Sequence, residues 1–208
     1  MTEHARTALD LLRDSSQFKW YAIPLLLLVI YVYATEVERR NWNVLFAGIA
    51  LWGMDLFNEI WNSLVFHATG RAPVWGATGP TAYQLLIGLN IEICFMFAIM
   101  GVAAAKMLPP KETRILGLPN RPVLIAVNAA AAVGVEVLLN KAGVLTWDWS
   151  WWQPSFPFLI WLIGYVPFFA ACFYVHDLPT VRAKATTVGA ILGVDAVAIA
   201  VFGALGWL

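Results

Sequence analysis

"VLFAGIALWGMDLFNEIWNSLVFH", residues 44–67, sets the problem posed by this chain. Residues 44–54 carry no charged or amide side chain, and the run stays apolar to its end around Asp55, Asn58, Glu59 and Asn62. A helix needs about 20 apolar residues to cross a hydrocarbon layer about 30 Å thick, and this stretch is long enough. Asp55, Glu59 and Asn62 stand at i, i+4 and i+7, on one face of such a helix. A span with two carboxyls on one stripe must turn that stripe away from lipid, which implies further spans packed around it.

The rest of the chain supplies them. Of its 208 residues 61% are hydrophobic and 12% charged, and the mean hydropathy is +0.71, outside the balance of a water-soluble domain. Six segments match the span length: 19–35, 43–67, 81–106, 121–140, 154–176 and 185–207. The connections between them are short and hold the Pro, Gly or charged residues that end helices at an interface. The expected fold is all-α, a polytopic transmembrane helical bundle of six helices, or seven if another is hidden in the Trp-rich region. Residues 1–18 mix both charge signs and have no apolar core or small-residue cleavage site, so they read as an interfacial N-terminal segment ahead of a transmembrane helical domain, 19–208.

Charge narrows the partners. Lys plus Arg equals Asp plus Glu at 13 each, so no basic surface points to nucleic acid, and the partner class is membrane lipid. Counting Lys and Arg alone, eight lie on the side of Arg39, Lys106 and Arg121 and five on the side of Arg71 and Lys141. That bias puts the first side in the cytoplasm. The expected location is the cytoplasmic membrane of a bacterium. Cys94 and Cys172 sit in apolar stretches without metal-ligand spacing and read as packing residues.

Acids recur in the other spans: Asn90 and Glu92 in "LNIEICFMF", Asn128, Glu136 and Asn140 in "VNAAAAVGVEVLLN", and Asp195 in "ILGVDAVAIAVF". An ionised side chain at the bilayer centre costs at least about 2.5 kcal/mol, so a set of undirected ones is improbable. Counting about 1.5 Å of rise per residue from the helix ends puts Glu59, Glu92 and Asp195 at similar depth, toward the side bearing the Trp-rich loop, with Glu136 nearer that mouth. One shared cavity follows from this. The alternative, in which Asn and protonated carboxyls merely tie helices together, stays open for any single acid.

Aromatic residues are plentiful, with 11 Trp, 12 Phe and 6 Tyr. Trp147, Trp149, Trp151 and Trp152 read as an interfacial belt. Trp52, Trp61 and Trp161 lie deeper, where a ring face can stabilise a cation. There is no HExxH, aspartate-rich box, GxGxxG or P-loop, and three His residues are too few and too terminal for haem or di-iron. The reading is therefore cofactor-free acid–base chemistry, with no metal.

The acid of an early helix, Glu59, and that of a late one, Asp195, together with the aromatics, resemble the integral-membrane terpene cyclases of meroterpenoid and indole-terpenoid pathways. "LNIEICF" is faintly similar to an Asn-Ile-x-x-Glu helix of that family. A second resemblance, carried by "DLFNE" followed by Glu92, is to the sterol-isomerase fold of emopamil-binding proteins. Both resemblances imply proton transfer to a double bond or epoxide of an isoprenoid or sterol-like lipid, by a terpene cyclase or isomerase. On this reading Glu59 and Asp195 are donor and acceptor, with Glu92 and Asp55 as further catalytic candidates. Asn58, Asn62, Asn90, Trp61, Glu136 and Trp161 are the substrate-binding candidates. The rival expectations are a proton- or cation-coupled transporter or channel using the same acids, and a lipid-binding or assembly protein.

Overall fold

A computed structural model describes residues 1–208, the side chain of Gln17 excepted. Helix α1 (Glu3–Leu11) starts on Thr2, whose hydroxyl accepts the Ala5 N–H at 3.2 Å. Helices α2 (Ala22–Glu38) and α3 (Trp42–Thr69) follow, and α3 stops at Gly70, which takes the left-handed φ of 60° that a Cβ would disfavour. Strands β1 (Gly76–Ala77), β2 (Gln84–Leu86) and β3 (Leu89–Asn90) lead into α4 (Ile91–Lys106). Strands β4 (Arg114–Ile115) and β5 (Leu118–Pro119) form a hairpin ahead of α5 (Asn120–Lys141). Strand β6 (Leu145–Thr146) pairs antiparallel with β1. A π-helical stretch (Ile160–Tyr165) then runs into α6 (Val166–Asp177), and α7 (Val181–Ala204) closes the chain.

The protein is mostly helical, and four helical stretches are long and apolar enough to cross a membrane: Trp42–Thr69, Asn120–Lys141, Ile160–Asp177 and Val181–Ala204. Helices α2 and α4, with 17 and 16 residues, are shorter than the ~20 that an untilted crossing needs. Helix α3 is the axis of the bundle and packs on α2, α4, α6 and α7, while α5 leans on α6 and the π-helical stretch. Burial follows this plan: 61% of the most apolar window of α3 is inside the protein, against 17% for α5 and 11% for α7. The outer faces of α5 and α7 are exposed Val and Leu, as lipid requires.

Helix contact in lipid depends on close packing rather than on exclusion of water. A Cβ on Gly101 of α4 would stand 2.8 Å from the Gly48 carbonyl oxygen and 2.9 Å from its Cα on α3, so the two glycines let these backbones touch. On the side bearing Arg39, Lys106 Nζ lies 2.5 Å from the buried Glu36 carboxyl. Arg121 pairs with Asp177 through two 2.8 Å hydrogen bonds. Buried Lys184 donates to the carbonyls of Val175, His176 and Leu178 at 2.5–2.9 Å, closing the end of α6.

Three expectations need correction. The helix expected at 81–106 begins at Ile91, because residues 84–90 form the β2–β3 hairpin and the Asn90 side chain caps α4 by accepting the Ile93 N–H at 2.9 Å. The segment 154–176 is not one regular helix. Pro167 has no N–H for the Ile163 carbonyl four residues back, and the backbone just before it winds as a π-helix. The Trp-rich region holds no seventh span among the described residues, since 147–157 are loop and turns.

Candidate functional site

Helix α3 presents Asp55, Asn58 and Glu59 to one cavity of about 160 Å³, and α5 presents Glu136 to it. Its walls are apolar and aromatic: Ile93, Met96, Phe97 and Met100 from α4, Ala132, Val135 and Leu139 from α5, and Gly164, Tyr165 and Phe168 from the π-helical stretch and α6. Trp75, Gly88, Leu145 and Trp152 complete the lining from the loops at the α3 C-terminal end. None of the described lining residues is basic. Asp55 is within electrostatic reach of both Glu59 and Glu136.

The loops make a roof. Asn62, fully buried, accepts the N–H groups of Val74 at 2.7 Å and Trp75 at 3.3 Å and donates to the Trp75 carbonyl at 2.7 Å. That grip brings the Trp75 indole over α3, where its Nε1–H donates to Glu59 Oε1 at 2.9 Å. Trp75 stacks on Trp152 with ring centroids 5.5 Å apart, and the β1–β6 pairing ties the two loops together. Gly88 lies against the same group: a Cβ there would be 2.6 Å from each of Glu59 Oε2, Asn62 Nδ2 and Trp75 Cδ1. Helix α1 docks against this layer through Ala5 and Ala8, and Thr2 and His4 bond Asp148 at 2.5 and 2.8 Å.

The acids are not equally engaged. Glu59 has one oxygen on Trp75, whereas Glu59 Oε2 and Asp55 Oδ2 are buried without a hydrogen-bond partner among the described residues. Tyr165 and Trp147 sit beside Glu136. The Asn58 amide points at the Ile163 carbonyl at 3.5 Å, the group that Pro167 leaves without its helical donor.

The sequence-level candidates thus divide. Asp55, Asn58, Glu59 and Glu136 come together. Asp195 is buried but outside the cavity lining, with Oδ2 3.7 Å from the position of a Gly53 Cβ. Gly53 and Asp55 are two residues apart, about 200° around a helix, so Asp195 matches the acids in depth and lies on the opposite flank of α3. Glu92 is held locally, accepting from Thr81 at 2.6 Å, from the Ala82 N–H at 2.7 Å and from the Tyr21 hydroxyl. Asn90 caps α4 and Asn62 anchors the roof. Trp61 touches Trp75 from outside at 6.0 Å, and Trp161 donates to the Ala126 carbonyl at 3.0 Å, pinning the π-helical stretch to α5. Trp152, expected in an interfacial belt, is 1% exposed and part of the roof.

Sequence reasoning missed Trp75, Gly88, Tyr165 and Phe168. Trp75 and Gly88 lay in what reads as a connection and a helix start. The signal for Tyr165 was present in Pro167, a helix-breaking residue in mid-span.

Fold and site define an integral membrane protein whose helices enclose an acid-lined apolar cavity. The chain belongs to an uncharacterized membrane protein family, whose model matches residues 2–204. An "Uncharacterized protein" of Archaeoglobus fulgidus is 53% identical over 209 residues, covering 100% of this chain and 99% of the relative. Another from the same archaeon is 53% identical over 53 residues, 25% of this chain and 95% of that protein. No solved structure matches. Membrane localisation stands, while the expected bacterial origin finds no support, since both relatives are archaeal.

Proposed function

We propose that this protein is a cofactor-free acid–base enzyme that protonates an isoprenoid or sterol-like lipid within the membrane, as a cyclase or isomerase. One observation carries the reading: Asp55, Glu59 and Glu136, from two helices, share a single aromatic-walled cavity with no basic lining residue among those described. Asp55, whose Oδ2 meets no donor, holds the proton to be given. Glu59, which accepts the Trp75 N–H, is the receiving carboxylate. The π electrons of a substrate double bond form a C–H bond with the Asp55 proton, or an epoxide oxygen takes that proton as its C–O bond opens. Either step leaves a carbocation, which the aromatic rings lining the cavity can stabilise by up to about 2 kcal/mol for a desolvated contact. Ring closure by another double bond, or a shift within the same chain, moves the cation. Loss of a neighbouring proton to Glu59 or Glu136 re-forms a double bond. Return of that proton to Asp55, from Glu59 one helical turn away or from Glu136 in the same cavity, resets the site.

The test is turnover of a polyprenyl terminal alkene and its epoxide in proteoliposomes. Asp55→Asn and Glu59→Gln are each expected to lower turnover by roughly 10²- to 10⁴-fold while leaving the helical circular dichroism intact. Wild-type rates in both variants overturn the proposal. The transport reading is favoured by one feature, the buried and unpartnered Asp195 on the far flank of α3. Proton flux in the same liposomes, lost in Asp195→Asn but kept in Asp55→Asn, would replace the enzymatic reading by that one.

A further inference from the structure

We infer that the cavity is entered sideways from the bilayer, through a portal between α4 and α5, and that its ligand is a membrane-resident lipid whose tail stays in that portal while its reactive end reaches the acids. The portal is a matter of geometry; the assignment of its occupant as a substrate rests on the acid–base reading above.

Direct packing between α4 and α5 is nearly absent, because α4 packs on α2, α3 and α6 while α5 packs on α6 and the π-helical stretch. The cavity reaches into that gap. Met96 and Met100 line it on the α4 side, and Ala132, Val135 and Leu139 on the α5 side. Exposure grades along the cavity: Met96 and Val135 are 40% and 51% exposed, whereas Asp55 and Glu59 at the inner end are 3% exposed and Trp152 1%. This rim carries no charge or hydrogen-bonding side chain. On a bundle whose neighbouring surfaces face lipid, such a rim opens to acyl chains rather than to water. Two unbranched methionines suit a passage that must admit chains of varied shape.

The aqueous route is closed by the same structure. Trp75, Gly88 and Trp152 cover the cavity, Asn62 and the β1–β6 pairing fix them, and α1 lies against that layer. The portal also has a definite depth. Met96 stands five residues into α4, about 8 Å along its axis, and Leu139 lies about 3 Å from the far end of α5. Both are at the roofed end of the bundle, away from Arg39, Lys106 and Arg121. The lipid therefore comes from the leaflet opposite that basic side. The polar lining groups, Asp55, Asn58, Glu59 and Glu136, are all buried, whereas Met96 and Val135 at the rim are apolar and exposed, so the ligand has an apolar body and places its double bond, epoxide or other proton-accepting group innermost.

A polyprenol carrying a diazirine beside its terminal double bond, the end placed innermost, serves as the probe in proteoliposomes, with adducts located by peptide mass spectrometry. Irradiation expels N₂ and the resulting carbene inserts into nearby bonds. Wild-type protein is expected to give adducts on cavity residues, Asp55, Glu59, Glu136 or Phe168, besides those on the lipid-facing Val197. Ala132→Trp and Val135→Trp narrow the rim from residues that bear no proposed chemistry. Each is expected to reduce cavity adducts at least tenfold and to leave Val197 labelling unchanged, the latter showing that the variant is folded in the bilayer. Labelling confined to outward-facing residues in wild type, or cavity labelling unmoved by both substitutions, overturns the portal. Cavity labelling without turnover of any isoprenoid probe upholds the portal and defeats only the chemistry of the preceding subsection.

Discussion

Gly88 shows how much of this site depends on a missing atom. Its Cα lies so close to Glu59 Oε2, Asn62 Nδ2 and Trp75 Cδ1 that an added methyl group would stand 2.6 Å from all three. Gly88→Ala is expected to lift Trp75 from Glu59, lowering stability by about 1–3 kcal/mol, as overpacking of a tight interior does, and turnover with it. Denaturant titration in detergent and the proteoliposome assay read the two effects separately. At this scale the α3 acids were legible, because i and i+4 positions share a face whatever packs on them. Rise along a helix gives depth but not direction, which is why Asp195 shares their depth yet lies outside the cavity lining. The surroundings of Glu92 are hidden for a different reason: its partners, Thr81, Ala82 and Tyr21, come from a loop and the start of another helix, whose approach no spacing reveals.

Among elements, the π-helical stretch is the one that shapes the site. It places Gly164 and Tyr165 on the cavity wall, and a Cβ on Gly164 would sit 3.5 Å from the Trp152 ring. Pro167→Ala restores an N–H for the Ile163 carbonyl and is expected to let the segment relax toward a regular α-helix. The melting temperature should hold or rise, while turnover falls at least tenfold as Tyr165 rotates away from Glu136. An unchanged rate would show that the winding of this segment does not matter to the site. Long apolar elements were readable from composition alone, as α3, α5 and α7 illustrate. The β2–β3 hairpin was not, because residues 84–87, "QLLI", are as apolar as a span, and only the pairing of Gln84 with Asn90 shows that they turn back.

For the whole molecule, α3 is the most enclosed of the four long apolar helices and also the one that carries two of the three acids lining the cavity. It is made early, before α5, α6 and α7, so its polar stripe must wait for the helices that cover it. Asp and Glu near the middle of a nascent span each weigh against its partition from the translocon by about 2.5–3.5 kcal/mol. A chain arrested after residue 80 should therefore be largely extractable from microsomes by alkaline carbonate, whereas Asp55→Leu combined with Glu59→Leu makes the same fragment resistant. Equal extraction of both fragments would refute this. The chemistry-bearing stripe thus makes biogenesis a post-insertion assembly, in which a half-committed hairpin of α2 and α3 is retained only once later-synthesised segments arrive to shelter it.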